Sequence, residues 1–145
     1  MLIASDHGGF ELKQALVAHL RNQGVEVDDL GVNNLDSVDY PDYAALVAEP
    51  VSQGKEESGI LICGTGIGMS IAANKFPGVR AALVHDQFTA QMSKEHNNAN
   101  ILVLGGRVLN PDDACRMVDV WLHGVFEGGR HQNRLNKIAE LEHVE

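Results

Sequence analysis

Cysteine occurs only twice in this chain, proline four times, and lysine with arginine eleven times against twenty acidic residues. Two cysteines in apolar or helical surroundings do not make a disulfide framework and fit free thiols in a reducing compartment. No apolar run approaches the length of a membrane span, and the opening Met1-Leu2-Ile3-Ala4-Ser5-Asp6-His7 has no basic leader and meets charge early. The expectation is a soluble, cytoplasmic protein. The formal net charge of −9 argues against general binding to nucleic acid or to anionic membrane. An anionic small molecule would need a local cluster of arginines, so their placement matters more than their number. No repeat, low-complexity tract or linker divides the sequence, and a single domain spanning 1–145 is expected. A chain of this size buries roughly 68–70% of its unfolded surface and needs neither disulfide nor structural metal to fold.

Five short apolar runs alternate with helical stretches, which predicts a doubly wound, Rossmann-like α/β domain with a five-stranded parallel sheet and helices on both faces. The runs are Leu2 to Ser5, Val25 to Asp29, Gly59 to Cys63, Val79 to Val84 and Ile101 to Leu104. Most are continuously apolar, as strands buried on both faces are. Leu12, Leu16, Val17 and Leu20 repeat at helical spacing before a stop at Gly24. Tyr43 to Gln53 is a second helix, with Pro50 expected to break a hydrogen bond or kink its end. Asn110 caps a third, whose first turn holds Pro111, Asp112 and Asp113 and whose apolar stripe runs from Ala114 to Leu122. A C-terminal helix is expected from about 129 to 142.

In such sheets ligands bind beyond the carboxyl ends of the strands. The first strand ends in Ser5-Asp6-His7-Gly8-Gly9, readable as a turn capped by Asp6 or as an acid and an imidazole brought to that edge. The third runs into Cys63-Gly64-Thr65-Gly66-Ile67-Gly68-Met69-Ser70, where alternating glycines free backbone N–H groups to face an anion ahead of a helix. The same N–H groups favour a thiolate at Cys63, which would make it a base or nucleophile; the alternative is a small buried hydrophobe. Cys115, next to Ala114 on a helix, reads as structural. A dinucleotide loop competes, because Asp86 lies about where a ribose-binding acid would, but Met69 stands where its third glycine belongs. A P-loop fails for want of Gly-Lys-Ser/Thr. His96, within Ser93-Lys94-Glu95-His96-Asn97-Asn98-Ala99-Asn100, is either an acid–base group or part of an Asn-rich turn. Arg130 and Arg134 are four apart, so on a helix they share a face, either to grip phosphate or as a solvated surface.

Taken in order, Ser5-Asp6-His7-Gly8-Gly9, Asp39-Tyr40-Pro41, Cys63 to Gly68, Ala72-Ala73-Asn74-Lys75, Glu95 to Ala99, Gly105-Gly106-Arg107 and Gly129 to Arg134 span nearly the whole chain. The ordered set resembles ribose-5-phosphate isomerase type B and the related galactose-6-phosphate isomerases. The resemblance implies an aldose–ketose isomerisation of the pentose phosphate pathway, through a cis-enediolate and without a cofactor. It makes Cys63 the base, Thr65 its helper at the O1/O2 pair and His96 the group that opens the sugar ring. Asp6 and Tyr40 would hold hydroxyls or assist ring opening, and His7, Arg107, Arg130 and Arg134 would bind phosphate. The N–H groups of Gly64, Gly66 and Gly68 would stabilise the enediolate. Cys63 together with Met69 points to the thiol-base subgroup. The family is dimeric, so a homodimer or larger assembly is implied, with His96 and Asn97 reaching the partner's site. No His/Cys/Asp/Glu cluster stands at metal-ligand spacing, and no metal is expected. The rivals are a hexose 6-phosphate isomerase acting on allose or galactose 6-phosphate, and a nucleotide-binding module.

Overall fold

The computed structural model describes residues 1–143; residues 144–145, the last of the expected domain, lie outside the described residues. Strand β1 (Leu2–Ser5) passes through a 3-10 turn, His7–Gly9, into α1 (Phe10–Asn22) and then β2 (Asp28–Asp29). Helix α2 (Tyr40–Ser52) precedes β3 (Gly59–Cys63), α3 (Ile67–Ala73) and β4 (Ala81–Leu83). Helix α4 (Gln87–Glu95), β5 (Ile101–Gly105), α5 (Pro111–His123) and α6 (Arg130–Leu141) complete the described order. The sheet is five-stranded in the order β2-β1-β3-β5-β4, with every pairing parallel.

The period-two alternation of strand side chains sorts the apolar residues into two cores. Ile3, Ile60, Ile62, Leu102 and Leu104 pack with Leu12, Leu16 and Leu20 of α1 and with Ala114, Met117, Val118 and Trp121 of α5. Leu2, Ala4, Leu61, Cys63, Ile101 and Val103 face the other way, against Ala44, Val47 and Val51 of α2 and Met69 and Ala73 of α3. Helices thus cover both faces, as a continuously apolar parallel sheet requires. Trp121 is fully buried and its indole N–H donates to the carbonyl of Ala99 at 3.1 Å.

Three boundaries differ from the expectations. The second strand is only Asp28–Asp29, because the Val25 N–H goes to the carbonyl of Leu20 at the end of α1 rather than to a neighbouring strand. The fourth starts at Ala81, since the Arg80 N–H is taken by the Asn100 side chain at 2.8 Å. Helix α2 starts at Tyr40, with Pro41 in its first turn, where a missing N–H costs nothing, and it runs through Pro50 to Ser52. The Asn110 cap is as expected, its side-chain oxygen accepting from the Asp113 N–H at 2.9 Å.

The two-residue edge strand is held by a charge. Lys13 on α1 is 1% exposed and its ammonium meets both carboxylate oxygens of Asp29 at 2.8 Å. Asp29 in turn accepts from the Gly31 N–H at 3.0 Å, fixing the start of the loop toward Val38. Removing one partner of a buried pair strands the other charge, whereas replacing both is close to neutral. Asp29→Ala should lower the unfolding free energy by about 3 kcal/mol, and the double variant Lys13→Met/Asp29→Ala should recover most of it, as read from urea unfolding.

Candidate active site

The chain leaves β1 toward β2 on one side of the sheet and then crosses to β3 on the other, so β1 and β3 flank a topological switch point at their carboxyl ends. The turns after these two strands touch there. A methyl group at Gly8 would lie a tight 3.0 Å from the Gly64 nitrogen, and one at Gly106 would lie 2.6 Å from the Gly8 carbonyl oxygen, so three backbones meet here and Gly106 admits no side chain. The Gly106 N–H donates to the Cys63 carbonyl at 2.8 Å and the Arg107 N–H to the Gly64 carbonyl at 2.9 Å, which ties the β5 turn to the β3 turn.

Around this junction stand Asp6, His7, Cys63, Thr65 and Arg107. Asp6 is 6% exposed, and its Oδ1 accepts from the Gly9 N–H at 3.2 Å, so the cap reading of this residue holds. His7 Nδ1 accepts from the Val38 N–H at 3.2 Å, which puts the proton of the neutral ring on Nε2, a donor for an anion. His7, Gly8, Glu11, Leu35, Gly106 and Arg107 line a cavity of about 220 Å³. Cys63 is a free thiol, 4% exposed, in the core shared with Met69. Thr65 Oγ1 accepts from the Ile67 N–H at 3.3 Å. Gly66 has φ of +81°, a left-handed turn open to glycine, and precedes α3. At Gly68 a methyl would come within 2.5 Å of the Tyr40 ring, so that ring lies flush on the loop.

His96, Asn97, Arg130 and Arg134 are not part of this group. Helix α4 ends at the opposite edge of the sheet, with His96 as its C-cap just ahead of β5. Asn98 there has φ of +44°, and its carbonyl accepts from Arg80 Nε at 2.9 Å, which clamps the turn that presents His96 and Asn97. Helix α6 begins at the same edge, with the rings of His96 and His131 stacked at 4.1 Å. A five-residue strand is on the order of 16 Å long, so Cys63 and His96 of one chain are separated by the depth of the sheet.

Sequence spacing hid two neighbours of His96. Glu127 Oε1 lies 3.5 Å from His96 Nε2 and 3.4 Å from His131 Nε2, so the fold brings together two imidazoles and a carboxylate that sequence spacing does not reveal. His131 lies inside the Gly129 to Arg134 motif, where the resemblance gives it no role, and Glu127 carries no local signal in the sequence. Asn74, also quoted without a role, bridges α3 to β4 by exchanging hydrogen bonds with the Ala81 backbone at 2.9 and 3.0 Å. Asp86, the acid a nucleotide reading needs, caps α4 instead. The Thr89 N–H and hydroxyl at 2.7 and 2.8 Å hold its carboxyl below the usual carboxylate range. Burial, then Asp119 and Asp112, push the Cys115 thiol up, in keeping with its structural reading.

A doubly wound sheet with side chains converging at its switch point defines an α/β protein that takes a small ligand beyond its strand ends. The chain belongs to the Ribose/Galactose Isomerase family, whose sequence profile matches residues 1–138. It is 50% identical over 137 residues to ribose-5-phosphate isomerase B of Escherichia coli, covering 94% of this chain and 92% of that protein. Its fold superposes on ribose-5-phosphate isomerase B of Clostridium thermocellum with a TM-score of 0.95 at 52% identity, covering 97% of this chain and 95% of that one. The Mycoplasma genitalium enzyme, solved with bound ribulose 5-phosphate, gives a TM-score of 0.93 at 47% identity, over 97% and 94% of the two chains. The neutral His7 ring should appear in long-range ¹H–¹⁵N spectra with Nε2 protonated and Nδ1 as acceptor; the opposite tautomer would refute the Val38 hydrogen bond.

Proposed function

We propose that this protein interconverts ribose 5-phosphate and ribulose 5-phosphate. The observation that carries the reading is the junction of the β1, β3 and β5 turns, where a thiol, a hydroxyl, an imidazole and a guanidinium gather in a chain of this family. Isomerisation moves one hydrogen from C2 to C1 and one proton between O2 and O1, with no net oxidation, so acid–base groups and an oxyanion site suffice. Cys63 takes the C2 proton and returns it to C1, and Thr65 serves the O1/O2 pair. The backbone N–H groups of Gly64, Gly66 and Gly68 stabilise the enediolate. Asp6 and Tyr40 hold sugar hydroxyls. His7 and Arg107 bind phosphate, and anchoring that group orients the reacting carbons.

Ring opening by His96 requires a second copy of the chain, because His96, Asn97, Arg130 and Arg134 lie at the far edge of the sheet from Cys63. In a two-fold dimer the amino edge of one chain meets the carboxyl edge of the other, completing two sites. Ile67 and Ile71, one turn apart on α3, are 54% and 59% exposed and offer apolar area to such a contact. Free Cys63 and Cys115 support a reducing, cytoplasmic setting. No helix of the described residues is long and apolar enough to cross a membrane.

Conversion of ribose 5-phosphate by the purified protein should persist in EDTA and fall about 10²–10⁴-fold in Cys63→Ala. Full activity in that variant would remove Cys63 as base, and turnover of allose or galactose 6-phosphate alone would reassign the substrate. Shared sites have a sharper test. Cys63→Ala and His96→Ala chains, each nearly inactive, should regain about a quarter of wild-type activity when refolded together in equal amounts. Half the dimers then pair unlike chains, each with one whole site. No recovery would mean that each chain carries its own complete site.

A further inference from the structure

We propose that His96, Glu127 and His131 form a site for a divalent cation of the zinc class, and that filling it inhibits the enzyme; the inhibition rests on the ring-opening role given to His96. The donor set is two imidazole nitrogens and one carboxylate oxygen, all within 4.8 Å of one another. Imidazole donors suit zinc, copper or nickel, whereas magnesium and calcium prefer oxygen alone. Two of the three separations already fit. With bonds of about 2.0–2.1 Å, neighbouring ligands of a tetrahedral zinc lie about 3.3 Å apart. The two nitrogen-to-oxygen separations here are 3.5 and 3.4 Å. Both are longer than a good hydrogen bond, and in the ion-free protein Glu127 is a loose ion-pair partner to the two imidazoles, which a cation would displace.

The backbone holds them in place independently of any ion. The Glu127 N–H donates to the Glu95 carbonyl at 3.0 Å, and the His96 N–H to the Met92 carbonyl at 2.9 Å. His131 is 7% exposed in the first turn of α6. The rings are stacked 13° from parallel with their centroids 4.1 Å apart, so their in-plane lone pairs do not yet converge, and the more exposed His96 ring must turn toward Glu127 for both imidazoles to bind one ion. A bound ion would take the His96 lone pair, and with it the proton transfer that opens a cyclic sugar. A fourth position is left to water.

The test uses the chelator-treated wild-type protein with zinc chloride as the probe, beside Glu127→Gln and His131→Asn, each checked for native circular dichroism. Calorimetry should give one zinc per chain in the wild type and at least tenfold weaker binding in both variants. Isomerase activity of the wild type should fall as zinc fills the site and return with EDTA, while the rate of Glu127→Gln, measured against its own zinc-free value, should not fall at the zinc concentrations that inhibit the wild type. Cobalt(II) in place of zinc should give visible absorption of a tetrahedral ion without a thiolate charge-transfer band. Absence of binding, undiminished binding in both variants, or a thiolate band that places the ion at Cys63 would overturn the site. Zinc bound at this site without loss of activity would overturn the inhibition. Calorimetry and the cobalt spectrum need no turnover, so a protein inactive on pentose phosphates would defeat the proposed function while leaving the metal site to be judged alone.

Discussion

Every strand of the sheet points the same way, and the arrangement of everything else follows from that polarity. A parallel sheet sends each strand's exit to one edge and each helix's return to the other. The turns after β1, β3 and β5 therefore share an edge, and the turns before β3 and β5 share the opposite one. Cys63, His7 and Arg107 belong to the first set, and His96 and Asn97 to the second. No rotamer change in one chain brings the two sets together.

The carboxyl edge is built by removing side chains. Register places Ser5 beside Ile62 and Cys63 beside Gly105, so the three exits emerge at one level. They pack so closely that Gly106 has no room for even a methyl group and Gly8 could take one only if its neighbours gave way. The result is a floor of backbone, with polar side chains only around its rim. The amino edge is built the other way, by side chains that hold backbone: Asn100 and Arg80 fasten the turn before β5, and Asn74 fastens the start of β4.

The central strands were legible because burial on both faces makes them continuously apolar, and β1 and β3 occupy the residues expected of them. The edge strands were overestimated for a related reason. Val27 and Val79 are buried and look like strand residues, yet they pack into the two cores outside the ladder. Helix α2 starts three residues ahead of the Tyr43 that apolar spacing predicts, because Pro41 fits its first turn without loss of a hydrogen bond. Of the site, the motif residues could be chosen from sequence through resemblance. Glu127 could not: it lies on an irregular segment, and only the packing of α6 against the end of α4 gives it neighbours.

The division of the motif residues between two edges of the sheet is nevertheless present in the linear order. A residue that follows a strand lies at the carboxyl edge, and one that precedes a strand lies at the amino edge, whatever its side chain. Cys63, Thr65 and Arg107 follow strands, whereas His96 and Asn97 precede one. A set of motifs read only as matches to a family pools these residues into one list. Sorted by strand polarity, the same list separates Cys63, Thr65 and Arg107 from His96 and Asn97, and the stacking of His131 on His96 puts the start of α6 with the second group. Within one chain the two groups are held apart by the length of the strands between them.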